Sequence, residues 1–262
     1  MTAPDRPILL VGCGKMGGAM RTGWLESGRP LVVVEPGPHA PEGAVAAPEA
    51  LPADLAPAAV VFAVKPQEAA KVLPAYARFA GSSVFLSIMA GRSVAGMRAL
   101  LGEHAAVVRA MPNLPASIRR GVTVAHAGPG VGQADRALCD ALLRAIGTVA
   151  WVDDEGLIDA VTAVSGSGPA YVFLLAELME AAGRVQGLPP DLARLLARET
   201  VAGAGALLAA SSEDAADLRK AVTSPGGTTA AALEVLMAPD AWPKTVAEAI
   251  AAAARRSREL AG

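Results

Sequence analysis

Residues 8–20 read Ile-Leu-Leu-Val-Gly-Cys-Gly-Lys-Met-Gly-Gly-Ala-Met, and no other stretch limits the fold as much. The four apolar residues make a buried strand, and the pattern from Ala19 through Met20, Trp24 and Leu25 is helical. Between them Gly12, Gly14 and Gly17 form G-x-G-x-x-G. In that setting the first glycine permits a tight strand-to-helix turn, the second lets a pyrophosphate approach the backbone, and the third lets the helix pack on the strand. The helix start then offers free N–H groups and a positive dipole end to phosphates. Glycine is common in this chain, at 27 of 262 residues, so the plain alternative is a strand–turn–helix with no ligand. Its position between strand and helix favours a dinucleotide site.

The chain repeats the plan. Residues 31–34 are a second apolar strand ending at Glu35, about twenty residues past the glycine turn, where a dinucleotide fold places the side chain that meets the adenosine ribose. A carboxylate there accepts from a 2′-hydroxyl and repels a 2′-phosphate, and no Arg or Lys follows in residues 36–39. This leans towards NADH over NADPH; a solvated Glu opening a Pro/Gly turn is the bland alternative. Further strands follow at 59–64, 83–88, 106–111, 121–125 and 149–152, with helices expected at 94–101 and 135–146. Such alternation argues an α/β fold with a Rossmann-like, doubly wound parallel sheet. Val64, Lys65 and Pro66, and likewise Met89, Ala90 and Gly91, fall at carboxyl ends of strands, where ligands sit in such sheets.

After about residue 153 strand signals stop, which sets domains at 1–153 (dinucleotide-binding) and 154–262 (helical). Helices are expected over 155–164, 169–184, 190–210, 230–237 and 243–260. Gly203 and Gly205 would each cost about 1 kcal/mol inside a helix unless a neighbouring helix packs there. So many small apolar positions in so short a bundle suggest helices shared with a second copy. The uncharged run 160–176 contains Ser165-Gly166-Ser167-Gly168-Pro169 and reads as two helix ends around a turn, not a membrane span.

A net charge of −2 gives no basic footprint for nucleic acid. Cys13 and Cys139 form neither a disulfide framework nor a metal site, and residues 1–7 lack a signal-peptide pattern. A reducing, cytoplasmic setting is therefore expected, with no metal. The remaining chemical stretch is 223–229, Thr-Ser-Pro-Gly-Gly-Thr-Thr before a helix. Consecutive glycines and hydroxyls at a helix start expose N–H donors suited to a small carboxylate; the alternative is a turn with Thr228 or Thr229 as N-cap.

Taken in order, residues 11–17, 63–67, 109–113 (Arg-Ala-Met-Pro-Asn), 165–171 and 224–229 resemble the pyrroline-5-carboxylate reductase family over nearly the whole chain. The last two motifs are far more diagnostic than the glycine turn. The resemblance implies a Rossmann domain followed by an all-α dimerisation domain, and homodimers that can assemble into larger rings. It implies NADPH or NADH held by Gly12, Cys13, Gly14, Lys15, Met16, Gly17, Val64, Lys65, Pro66, Met89, Ala90 and Gly91. It puts the substrate carboxylate on Gly226, Gly227 and Thr228 and the ring nitrogen near the Thr229 hydroxyl, with Thr229 and Ser224 as the catalytic residues. Ser167 and Glu155 match substrate-side positions. Leu114, Met89 and Ala221 depart from common family residues (Thr, Ala and Asn), which bears on affinity and cofactor choice. The implied reaction is hydride transfer to the C=N carbon of Δ1-pyrroline-5-carboxylate, giving proline. Competing readings are a reductase of another small cyclic imine, a β-hydroxyacid dehydrogenase-like enzyme, disfavoured because 160–178 holds no Lys, and a nucleotide sensor without catalysis.

Overall fold

A computed structural model describes residues 6–38 and 40–261; the segment before Arg6 and His39 lie outside the described residues. Seven strands are present: β1 (Ile8–Val11), β2 (Leu31–Val34), β3 (Ala59–Phe62), β4 (Val84–Ser87), β5 (Val107–Met111), β6 (Gly121–Ala127) and β7 (Gly147–Val152). Between them come helices α1 (Lys15–Glu26), α2 (Ala69–Val72), α3 (Val94–Leu101) and α4 (Gln133–Arg144). After β7 follow α5 (Leu157–Val161), α6 (Gly168–Val185), α7 (Pro190–Ala210), α8 (Ala215–Ala221), α9 (Thr228–Leu236) and α10 (Trp242–Ala261).

All seven strands join one sheet in the order β2-β1-β3-β4-β5-β6-β7. The first five run parallel, as the alternation requires. β6 is antiparallel to β5, and β7 runs with β6. The reversal departs from the all-parallel expectation, and its cause is short chain. Only residues 112–120 link β5 to β6, including the 3₁₀ turn Leu114–Ile118, too few for the helical crossover that a parallel pair needs. Asn113 Oδ1 accepts from the Val122 N–H at 3.0 Å and fixes the return.

The central strands are buried on both faces, so their residues alternate between two cores. Leu10, Val61 and Leu86 pack with Met20 and Trp24 of α1 and Leu142 of α4. The buried Trp24 Nε1 donates to the Leu142 carbonyl at 2.8 Å, which satisfies its only polar atom. On the other face Phe62 stacks on Phe85 at 5.9 Å and meets Tyr76 edge-on at 5.6 Å. Each such ring or leucine, fully buried, contributes about 1.5–3 kcal/mol.

By compactness the chain divides at Ser167, with the residues from Ala253 onward returning to the sheet unit and Gly168–Ala252 forming a helical unit. Compactness thus departs from a boundary at 153: α5 and the end of α10 pack with the sheet. The expected break at 165–169 narrows to Ser167. The helical turns of 157–166 and 168–185 are separated by a bend at Ser167 alone; Thr162–Gly166 widens to a π-helix, and the Ser167 N–H bonds the Thr162 carbonyl at 2.8 Å. Pro169 has no N–H to give, and the widened turn carries the chain past it without a stop. By length and composition alone this run, Leu157–Val185, is long and apolar enough to cross a membrane.

In the helical unit only Ala193 and Ala197 are buried, whereas Phe173, Leu178, Leu195 and Leu207 are each more than half exposed. Nothing lies within 4 Å of the Cβ positions of Gly203 and Gly205, so among the described residues no neighbouring helix packs on them.

Candidate active site

At the sheet's switch point, β1 continues to β2 on one side and β3 lies on the other, leaving a crevice at their carboxyl ends. A cleft of about 580 Å³ opens there, lined among others by Gly12, Gly14, Glu35, Val64, Lys65 and Tyr76. Gly12 has φ +91° and lies so close to β3 that a Cβ would stand 2.9 Å from the Ala63 carbonyl carbon. A Cβ on Gly17 would come 2.3 Å from the Gly12 oxygen. At Gly14 the space is open, with no atom within 4 Å of the Cβ position. Two glycines are therefore demanded by the fold, and the middle one keeps an approach clear above the start of α1. Among the described residues no side chain caps that helix start, so its N–H groups remain available to an anion.

Glu35 has a further role. Its Oε2 accepts from the Cys13 N–H at 2.7 Å and its Oε1 from the Gly37 N–H at 2.8 Å, so the carboxylate braces the glycine turn. Cys13 is nearly buried; burial pushes its thiol pKa up, Arg21 partly opposes this, and Glu35 adds to it. Lys15 is exposed, Lys65 is exposed at the cleft, and Met16, Val64 and Pro66 are half-buried. Arg92 Nε donates to the Pro66 carbonyl at 2.9 Å and links the turn after β4 to the one after β3. Met89 is 2% exposed and its side chain belongs to the core, so of that residue only backbone faces the turn.

Glu155, expected on the substrate side, is tied to β5 and to the start of α3. Its Oε1 accepts from Arg109 Nη1 at 2.9 Å and from the Val94 N–H at 2.8 Å. Arg109, 4% exposed on β5, also lies 4.0 Å from Asp159, whose Oδ1 accepts from Ser257 Oγ at 2.6 Å. A sequence signal for this cluster existed: a lone cation in the apolar strand 107–111 must find acidic partners when buried. Ser167 ends the π turn in the sheet unit.

In the helical unit, 224–229 forms a turn into α9. Gly226 takes φ +70°, and the Gly227 N–H closes onto the Ser224 carbonyl at 3.0 Å. Gly227 is the N-cap, not Thr228 or Thr229, and no side chain caps the helix. The first-turn N–H groups are thus open, and neither threonine hydroxyl is bonded to another group among the described residues. An uncapped helix start of this kind suits a carboxylate. No cluster of three His, Cys, Asp or Glu residues among those described is arranged to hold a metal ion.

Comparison with known proteins gives this arrangement its context. Residues 155–260 match a family model described as pyrroline-5-carboxylate reductase dimerisation, and 7–91 match one described as NADP oxidoreductase, coenzyme F420-dependent. A pyrroline-5-carboxylate reductase of Mycobacterium tuberculosis is 37% identical over 97% of this chain and 96% of its own. The chain belongs to the pyrroline-5-carboxylate reductase family. A Pseudomonas aeruginosa member of this family is 43% identical over 77% of the chain and 74% of its own. Among solved pyrroline-5-carboxylate reductases, that of Coxiella burnetii superposes with a TM-score of 0.85 at 30% identity, covering 98% of this chain and 99% of its own. The Plasmodium falciparum structure, which has NADP bound, gives 0.84 at 26% and covers 99% of both chains. The pyrroline-5-carboxylate reductase reading takes precedence over the alternatives drawn from sequence, and the cofactor class is a nicotinamide dinucleotide.

Proposed function

We propose that the chain reduces the C=N bond of Δ1-pyrroline-5-carboxylate to L-proline. The observation that carries this reading is the end-to-end relationship to a pyrroline-5-carboxylate reductase, 37% identical over 97% of the chain. Bound NAD(P)H supplies the hydride. The protein's part is position and electrostatics. Residues 12–17 hold the pyrophosphate, with the open approach over Gly14 in support. The 64–66 and 89–91 turns flank the nicotinamide half. The substrate carboxylate sits at Gly226, Gly227 and Thr228, where the uncapped start of α9 leaves the Thr228 N–H free while the Gly227 N–H closes the turn. The Thr229 hydroxyl oxygen accepts from the N–H of the protonated ring nitrogen, with Ser224 beside it in the turn and Ser167 on the substrate side. A protonated cyclic imine is already electrophilic, so the site needs no strong general acid, and solvent can supply the proton.

Cofactor preference turns on Glu35. Its carboxylate is fixed by two backbone donors, keeps further lone pairs for ribose hydroxyls, and opposes a 2′-phosphate, which favours NADH. The NADP found in the Plasmodium falciparum relative weighs on the other side. The exposed apolar faces of α6 and α7, with open Gly203 and Gly205, favour a homodimer through the helical unit, and a ring of dimers is the further proposal. Two free cysteines suit a reducing cytoplasm. The test is NADH and NADPH oxidation run side by side with Δ1-pyrroline-5-carboxylate, with proline as the measured product. Absence of proline with both cofactors would overturn the reading; a higher kcat/KM with NADPH would overturn only the Glu35 argument.

A further inference from the structure

Arg109 is buried on β5 directly opposite Ser87, the last residue of β4 in the parallel register. The turn that leaves β4 is held at both ends by this neighbourhood. At its start the Met89 N–H donates to Ser87 Oγ at 3.2 Å. At its end the Val94 N–H, first in α3, donates at 2.8 Å to Glu155 Oε1, the same oxygen that Arg109 Nη1 holds at 2.9 Å. A carboxylate at a helix start is favoured by the dipole, and Arg109 fixes where this one stands. The turn is also covered. Asp159, 4.0 Å from Arg109, holds Ser257 of α10 at 2.6 Å, and one turn further on Leu260 lies over Gly91, where an added Cβ would stand 3.0 Å from the Leu260 oxygen. Gly91 has φ +65°.

We propose that Arg109 is a positioning residue that sets the 89–93 turn for the nicotinamide half of the cofactor, acting through Glu155 and Val94 on one side and through Asp159, Ser257 and Leu260 on the other. The proposal rests on the reading that 89–91 meets the cofactor. Arg109 is the single cation in this group, facing two carboxylates that are largely shielded, at 27% and 14% exposure. Its removal leaves Glu155 and Asp159 without a counter-charge, so both would turn to water and release their ends of the turn.

The experiment compares Arg109→Met, Glu155→Ala, Glu155→Gln and Ser257→Ala by amide hydrogen exchange over 88–94, by Kd for NADH and NADPH, and by KM for Δ1-pyrroline-5-carboxylate. Arg109→Met and Glu155→Ala should speed exchange at Val94 by about tenfold or more and weaken the cofactor by a similar factor. KM for the pyrroline carboxylate should stay within about twofold. Glu155→Gln keeps an acceptor for Val94 and should recover most of both losses. If Arg109→Met does not fold, Ser257→Ala removes one hydroxyl and should still speed exchange over 88–94. Wild-type exchange there in folded Glu155→Ala and Ser257→Ala would overturn the proposal. Faster exchange with unchanged cofactor Kd would overturn it by detaching the turn from the cofactor. A wild-type protein without pyrroline reductase activity would instead sink the proposed function, while exchange and cofactor binding would still decide the role of Arg109.

Discussion

Gly14 and Gly17 are three residues apart in one turn, yet replacing each by alanine should do different things. Gly14 has φ −67° and ψ −161°, open to any residue, and no atom lies within 4 Å of its Cβ position. Alanine there loses roughly 0.5–1.5 kcal/mol as a poorer N-cap. It regains about 0.4–1 kcal/mol by restricting the unfolded chain. Stability should therefore stay within about 1 kcal/mol of wild type. Cofactor binding should not, because the methyl stands over the approach to the free N–H groups. Losing one charge-assisted hydrogen bond, about 1.5–3 kcal/mol, raises Kd by roughly ten- to a hundredfold. At Gly17 the added carbon meets the Gly12 oxygen at 2.3 Å and Ala63 Cβ at 3.2 Å. The helix-propensity gain of about 1 kcal/mol is outweighed by overpacking of about 1–3 kcal/mol against rigid backbone. A net loss of up to about 2 kcal/mol lowers Tm by up to about 8 °C. Thermal melts with and without saturating NADPH, plus fluorescence titration, separate the two effects. Gly14→Ala should melt like wild type alone and gain less from cofactor. Wild-type cofactor affinity in Gly14→Ala would refute the pyrophosphate placement, and equal Tm losses for the two variants would refute the packing argument.

Thr229→Val should lower kcat/KM for Δ1-pyrroline-5-carboxylate by about tenfold or more with cofactor Kd unchanged; unaltered kinetics would remove the hydroxyl from the chemistry. Cys139 is fully buried with its thiol pKa pushed far up by desolvation, so native protein should leave it untouched by a thiol reagent at pH 8 and expose it only on unfolding. Asp140 is held below its ordinary value of 3.8, chiefly by the Arg144 hydrogen bond, with help from Trp151. Its folded pKa is depressed, so its contribution is present above the ordinary value and is lost as pH falls through the folded one. Wild-type Tm should therefore drop more steeply than that of Asp140→Asn below about pH 4.

Much of the sheet unit was legible because its code is local. Short runs of four to six mostly apolar residues marked every strand, and Val94–Leu101 matched its expected helix. What escaped depended on contacts distant in sequence. The reversal of β6 follows from link length, which alternation alone does not reveal. That the interruption at Ser165-Gly166-Ser167-Gly168-Pro169 shrinks to a bend at Ser167 depends on the π-turn hydrogen bond of Ser167, invisible to a rule that treats Gly and Pro as stops. Glu155 was read only as a substrate-side acid opening a helix, because its partners, Arg109 and Val94, lie far upstream in the chain. Glu35 was placed correctly at the end of β2, but its grip on the Cys13 and Gly37 amides depends on how the chain turns beyond Val34.

The return of α10 to the sheet unit has a consequence for synthesis. Chains leave the ribosome amino end first, and an amino-terminal domain ordinarily folds while the rest is being made. Here the seven strands emerge early, but Ser257 and Leu260, which seat on Asp159 and beside Gly91, come after the whole of Gly168–Ala252. The nascent nucleotide-binding unit therefore waits, with one flank unsealed, until the helical unit has been translated. Fusing a bulky tag close behind Leu260 disturbs the oldest part of the fold, not its youngest.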